Sequence, residues 1–294
     1  MSFSNFVRMH WAAFRALLLL TAITGIAYPL FIWLVAQVPG LQDKANGSIL
    51  TASGKPIGSR LIGQLFTDKA GNPLPQYFQG RPSAAGNGYD PLSSGGSSLG
   101  PESIIDTPGK PSLLTTVCSR SAAVARQEDL ERAAGSRPFC TGGGVGAVLS
   151  VIGPRDARGN VIHPTRVVSV NEPCQSIAMP FLALYEGVRV ECAKDGEDYT
   201  IGQIVPIRGA APPIPAVPAD AVTASGSGLD PNISPAYADL QVARVAKARR
   251  VSAGQIREVL AQNRSGRTLG FFGEPCVNVL QLNLALDRKY PVSS

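Results

Sequence analysis

Twenty-three consecutive positions, Ala16 to Val38 (ALLLLTAITGIAYPLFIWLVAQV), carry no charged residue. As a helix rising ~1.5 Å per residue this run spans roughly 34 Å, enough to cross the ~30 Å hydrocarbon core of a bilayer. The pattern therefore predicts a transmembrane helix. Trp11 and Trp33 lie near its two ends, where amphipathic rings favour the membrane–water interface. Pro29 within the run predicts a kink, which membrane helices tolerate. Arg8 and Arg15 precede the run, whereas Asp43 and Lys44 cancel beyond it. The short N-terminal stretch (residues 1–15) is thus expected in the cytoplasm, and the chain beyond residue 38 outside the cell. A cleaved signal has a shorter apolar region, about 7–15 residues, and a small-x-small site. LVAQVPG is a poor match to such a site, so a retained single-pass anchor over 16–38 is expected.

Beyond the anchor the periodicity changes repeatedly. GSRLIGQLF (58–66) is short, apolar and glycine-flanked, and predicts a strand. Residues 77–101, dominated by turn formers, predict an extended ordered loop. Ser112–Ala133 reads as a helix, with Leu113, Val117, Val124 and Leu130 near one stripe and Gly135 as its stop. From Cys140 to Ile207 come β-rich pieces: GAVLSVI, TRVVSV, GVRVEC and YTIGQIVPI. GAAPPIPAVPAD then forms a stiff, proline-rich tether. Ser234 is a fitting N-cap with Pro235 at the first helical position, and Lys247, Arg249 and Arg250 crowd the last turn. A second helix starts at Ser252, with Gln255 completing a capping box and Ile256, Val259 and Leu260 on one face; Gly266 lies past its end. LQLNLAL (280–286) alternates strictly, as a half-buried strand does. Residues 217–290 are thus expected to form a compact α/β unit whose strands pair with one near Leu61. The fold class is α+β: a transmembrane helix, an extracytoplasmic mixed α/β core (39–137 and 211–294), and an inserted β-rich subdomain with cysteines (138–210).

Composition refines this picture. With 27 Lys plus Arg against 21 Asp plus Glu the chain is mildly basic, and 31 Gly with 24 Pro describe an ordered chain rich in turns. The densest basic stretch, Arg244 to Arg267, contains no aromatic residue and reads as a solvated helix face, not a nucleic-acid surface. Cys118, Cys140, Cys174 and Cys192 match no zinc-ligand spacing. In an oxidising compartment they predict two disulfides with three possible connectivities, leaving Cys276 without an obvious partner.

Candidate chemistry is mostly excluded. The Gly-Lys pairs at 54–55 and 109–110 are each followed by Pro, so neither is a phosphate-binding loop. Ser227, between Gly226 and Gly228, lacks the outer glycines of a nucleophile turn. A serine triad also needs a histidine, and only His10 and His163 exist. Asp220, Asp230, Asp239 and Glu274 share the C-terminal unit, but Asp230 precedes Pro231 in an ordinary turn context. A non-catalytic role is expected.

Taken with the anchor, the stretches GRPSA, SGGSSLGP, TASGSGLDPNISPAYA and GRTLGFFGEPCVNVLQLNLALD resemble the C subunits of the Kdp complex, the bacterial ATP-driven, high-affinity potassium pump. The resemblance covers residues 1 to about 135 and 217 to 290. It departs at Ser98, Asn232 and Cys276, where the family has Asn, His and Arg, and at the cysteine-containing block. It implies an accessory subunit in a bacterial plasma membrane that stabilises the assembly and raises the ATP affinity of the ATPase subunit. Its implied partners are a channel-like potassium-binding subunit, a P-type ATPase subunit and a small single-span subunit, besides membrane lipid. No cofactor is bound by a motif of this chain, and ATP enters only through the ATPase subunit. Gly95, Gly96, Leu99, Gly100, Ser225, Gly226, Gly228, Leu229 and Asp230 are candidates to form or support the docking face on the potassium-binding subunit. The equal alternative is that these glycines only shape an internal turn. A membrane-tethered extracytoplasmic binding protein acting alone is the alternative reading of the whole chain.

Overall fold

The computed structural model describes residues 3–52, 54–85, 88, 90–96, 103–130 and 137–292, in two compact units divided between Ile62 and Gly63. The first unit holds a long helix, α1 (Phe3–Ala36), whose 34 residues are long and apolar enough to cross a membrane, followed by a single helical turn at Gln42–Ala45. Helix α1 ends two residues before the predicted Val38: the Gln37 and Val38 N–H groups close tighter turns onto the Leu34 and Val35 carbonyls. Ile23–Ala27 is a π-helical turn, in which the Tyr28 N–H reaches back to the Ile23 carbonyl. The cause is Pro29, which has no N–H to give the Gly25 carbonyl and whose ring crowds it; a widened turn relieves both.

After α1, strands β1 (Ile49–Ala52) and β2 (Lys55–Ser59) form an antiparallel hairpin. The strand predicted over 58–66 is therefore displaced, since only Gly58 and Ser59 belong to β2 and Leu61 lies in the following turn. The apolar run is broken by Gly63, whose backbone serves a different contact described below.

In the second unit, helices α2 (Leu113–Gln127), α3 (Pro235–Arg249), α4 (Ala253–Gln262) and α5 (Val279–Lys289) surround one apolar core. Ser112, Ser234 and Ser252 cap α2, α3 and α4 through their hydroxyls, and α4 carries the full capping box with Gln255. Ile256, Val245, Leu282 and Leu286 are fully enclosed. Helix α2 stops at Gln127, short of the predicted Ala133; Gly135 lies outside the described residues. Its most buried stripe is Thr115, Cys118, Ser121 and Ala125 rather than the larger apolar residues, and Leu113 is 49% exposed.

Two corrections concern the C-terminal stretch. LQLNLAL is helix, not strand, and belongs to α5, with Asn278 as N-cap accepting from the Gln281 N–H. Leu282, Asn283 and Leu286 continue the buried spacing that Val279 begins, a 3.6-residue period with a polar residue in the apolar stripe. The strands of this region are short and local. They are β8 (Asn232–Ile233), β9 (Arg264–Ser265) and β10 (Cys276–Asn278), in the order β8-β10-β9 and antiparallel throughout; none pairs with a strand near Leu61.

Asn283 explains how the core is closed. The chain turns at Pro75–Gln76 and then enters the core at Phe78, which is fully buried and has no neighbouring strand to bond it. Side chains take the place of that strand. Asn283 accepts from the Phe78 N–H and donates to the Phe78 carbonyl, both at 2.9 Å. Gln241 accepts from the Gln79 N–H at 2.7 Å and donates to its carbonyl at 3.2 Å. Arg244 donates to the Pro75 and Tyr77 carbonyls, and Arg249 to that of Gln76. The basic stretch is thus not wholly a solvated face. Arg249's side chain is 0% exposed and also pairs with Asp287, while Arg244 pairs with the buried Glu128 at 2.9 Å. Burial pushes the Glu128 carboxyl above its ordinary range, and Arg244 opposes that shift.

Strands β3 (Val148–Ile152), β4 (Arg166–Pro173), β5 (Leu184–Tyr185), β6 (Val188–Ala193) and β7 (Gln203–Pro206) form a five-stranded sheet in the order β5-β6-β4-β3-β7. The β4–β6 pair is parallel and the others antiparallel. Both faces are covered, so β3 and β4 read as nearly continuous apolar runs. Val148, Val168 and Val170 pack with Ile104, Ile105 and Leu114, and Leu149, Val151 and Val167 with Val161, Phe181 and Leu182. Asn171 fastens the first face, accepting from the Asp106 N–H and donating to the Ile104 and Gly146 carbonyls. Of the three connectivities, the observed one is Cys118–Cys140, joining α2 to the approach to the sheet, and Cys174–Cys192, within it; Cys276 is free.

Asn283→Leu orphans the N–H and carbonyl of Phe78 at about 1–3 kcal/mol each, so chemical denaturation of the variant has a clearly lower midpoint than wild type. Replacing Cys118 and Cys140 by Ser opens a loop spanning 22 residues. By loop-closure entropy this lowers unfolding free energy by about 3 kcal/mol, measurable by the same titration under non-reducing conditions.

Candidate functional site

From the buried Phe78 the chain passes to Arg81–Ser83, and from there two glycine-rich loops meet. The Ser225 N–H donates to the Pro82 carbonyl at 2.7 Å and the Ala84 N–H to the Ser225 carbonyl at 2.8 Å, a parallel bridge. Further along, the Gly95 N–H donates to the Gly226 carbonyl at 2.7 Å, and the Asp90 N–H to the Ser227 carbonyl at 3.1 Å. The Gly63 N–H donates to the Leu229 carbonyl at 2.8 Å. The loops are therefore knitted together by their backbones.

That knitting accounts for the glycines. A Cβ on Gly63 would lie 2.6 Å from the Asp230 carbonyl oxygen, and one on Gly226 would lie 2.7 Å from the Ser94 hydroxyl. A Cβ on Gly95 would collide with the Ala84 carbonyl, and one on Gly228 with that of Gly88; Gly228 also has a φ of +75°. Ser225, 3% exposed, turns its hydroxyl inward to accept from the N–H groups of Gly228 and Asp230. Asp230 is held by Arg81 at 2.6 Å, and the same guanidinium donates to the Thr223 and Ala224 carbonyls. Arg81 thereby ties one loop to the other; the GRPSA stretch that contains it gave no pattern from which this role could be read.

The structure thus brings Gly95, Gly96, Ser225, Gly226, Gly228, Leu229 and Asp230 into one region, whereas Leu99 and Gly100, like Ser98, lie outside the described residues. What the region offers to solvent is different. Leu92 is 95% exposed at the rim, Leu229 is half-buried, and Asp90 stays ionised at the edge. The Ser93 hydroxyl, and then the Leu92 N–H, hold the Asp90 carboxyl below the usual carboxylate range.

The other candidates have structural tasks. Asp220 accepts from both the N–H and the hydroxyl of Ser234, fixing the N-cap of α3, and Glu274 pairs with Arg267. Gly54, with φ of +75°, shapes the turn between β1 and β2, and Gly109, with φ of +73°, shapes the turn ahead of the Ser112 cap of α2. Among the described residues no group of three or more His, Cys, Asp or Glu side chains could hold a metal ion.

Comparison with known proteins supplies the context for this geometry. The family described as "KdpC: K+-transporting ATPase, c chain" matches residues 10–139 and 202–288, leaving out the stretch that contains most of the five-stranded sheet. The chain is 34% identical over 291 residues to the potassium-transporting ATPase KdpC subunit of Kineococcus radiotolerans, covering 99% of each. It is 34% identical over 274 residues to that of Koribacter versatilis, covering 92% of this chain and 90% of the relative. The KdpC subunit of Streptomyces coelicolor is 36% identical over 293 residues, covering 97% of this chain and 94% of the relative.

Gly228→Ala is expected to destabilise the fold by roughly 1–3 kcal/mol, because the new methyl meets backbone at a left-handed φ. Gly254→Ala in α4, whose Cβ meets nothing closer than the Ser252 hydroxyl at 3.7 Å, is the control. It is neutral, or stabilising by up to about 1 kcal/mol. Thermal unfolding of the two variants side by side reads the difference.

Proposed function

The chain belongs to the KdpC family of K+-transporting ATPase c chains, and from that membership we propose that it is the non-catalytic accessory subunit of a bacterial potassium-importing ATPase complex. Helix α1 anchors it in the plasma membrane, with the short N-terminal stretch in the cytoplasm and the rest outside. Arg8 and Arg15, ahead of the apolar run, support that orientation. The partners in this reading are the channel-like potassium-binding subunit, the P-type ATPase subunit and the small single-span subunit. Residues 138–210 are an inserted subdomain on the α/β core.

The observation that carries the reading is the family match to both stretches flanking the sheet, in a chain whose N-terminal helix is long and apolar enough to cross a membrane. The knitted loops support a docking role in a particular way. Their glycines hold a rigid platform, and the rim presents Leu92 and the Asp90–Ser94 backbone to a partner. Contacts made by a preorganised surface avoid the ordering cost that a floppy loop incurs. Raising the ATP affinity of the ATPase subunit is the further role that the family resemblance implies. In this reading that effect passes through subunit contacts.

The chain should co-purify with the ATPase subunit and the potassium-binding subunit in mild detergent; recovery of the chain alone, with potassium uptake intact in its absence, refutes the subunit reading. Leu92→Asp, at a position outside the core, should leave the isolated chain folded and reduce the recovered complex severalfold. An undiminished yield of complex removes the loop platform from the docking face.

A further inference from the structure

Beside the knitted loops, a cleft of about 260 Å³ opens between α2, α3 and the Arg81–Ser83 segment. It lies just below the ~300–1,000 Å³ range of sites for drug-sized ligands, so its occupant is small. One wall is a stripe of α2, with Arg120, Ala123, Val124 and Gln127 at helical i, i+3, i+4 and i+7 spacing. The other walls include Arg81, Gly228, Asp230 and Tyr237.

The charged groups facing the cleft are Arg81, Arg120 and Asp230, which leaves one net positive charge. Arg81 and Asp230 neutralise each other, and Arg81 also donates to the Thr223 and Ala224 carbonyls. Arg120 is different. Its guanidinium donates to the Val222 carbonyl at 3.1 Å and forms no ion pair among the described residues. Burial alone pulls its pKa below the usual range, so the site bears the cost of a desolvated cation without a counter-ion. Two turns along the same stripe, the Gln127 Nε2 is buried with no hydrogen-bond partner. Buried polar donors are seldom left so. Between the two lie only Ala123 and Val124.

We propose that this cleft binds a carboxylate: Arg120 takes the carboxylate group, Ala123 and Val124 line its apolar stem, and Gln127 donates to a second acceptor. The Cα atoms of the two polar residues are roughly 10 Å apart along the helix, which long side chains leaning inward reduce to the span of a short dicarboxylate. The planar, forked donor set of arginine favours a carboxylate as the charged end. A free dicarboxylate and an acidic side chain on a partner subunit, with a nearby backbone carbonyl, share this chemistry. The assignment rests on the cleft itself and stands whether or not the loops dock a partner.

Modification of Arg120 by phenylglyoxal, followed by peptide mass spectrometry on the full-length chain in detergent, tests it. Potassium succinate, against potassium chloride at equal ionic strength, should slow modification of Arg120 roughly tenfold at ten times its Kd and leave the exposed Arg158 and Arg250 unchanged. In Gln127→Leu that protection should weaken. In the assembled complex, protection of Arg120 without succinate identifies a partner's carboxylate as the occupant, and protection only on adding succinate identifies a small molecule. An Arg120 rate that succinate leaves unchanged in the free chain, and that assembly leaves unchanged as well, overturns the proposal. So does undiminished protection in a folded Gln127→Leu variant.

Discussion

A peptide segment buried in a protein core must find partners for every N–H and carbonyl it carries, or it costs more than its side chains return. Phe78, fully buried, and its neighbour Gln79 meet this requirement without joining a sheet. Asn283 on α5 and Gln241 on α3 each bind one residue's N–H and carbonyl, and Arg244 and Arg249 take the carbonyls that remain. Much of the α/β core follows from that arrangement. It fixes Phe78 among the helices, holds α3 and α5 to one common element, and sets the point at which Arg81 emerges to clasp the Thr223–Asp230 loop.

Local features of this fold were legible in the sequence and distant ones were not. Ser234 before Pro235 and the Ser252–Gln255 pair marked two helix starts correctly, because capping chemistry is complete within four residues. The β-rich pieces after Cys140 became strands where expected, since their valines alternate between two covered faces. By contrast, α5 was misread because leucines at every second position imitate a strand, and because Asn283, its one polar buried residue, seemed to mark a solvent face. That asparagine is buried for the sake of Phe78, 205 residues away in the chain. Arg249 was misjudged for the same reason: its carbonyl partners on Gln76 and Tyr290 are invisible to any local pattern.

The candidate site shows the same division. Its glycines were singled out in the stretches that carry the family resemblance, and the structure gives them an inward purpose, the close approach of one backbone to another at Gly95 and Gly228, as also at Gly63. Arg81, which holds the two loops together, carried no signal beyond its place in a short motif. The cleft beside them was equally hidden, since its wall joins helix positions spaced by periodicity with loop residues more than a hundred positions away.

The two disulfides follow one another along the chain without crossing: Cys118 closes onto Cys140 before Cys174 and Cys192 close in their turn. In the proposed topology, with the N-terminal stretch held in the cytoplasm, the chain beyond the anchor crosses the membrane in sequence order and exposes its thiols in the order in which they belong together. Each first encounter is already the native one. In that topology, correct pairing follows from the order of emergence alone, with no earlier bond to be reshuffled.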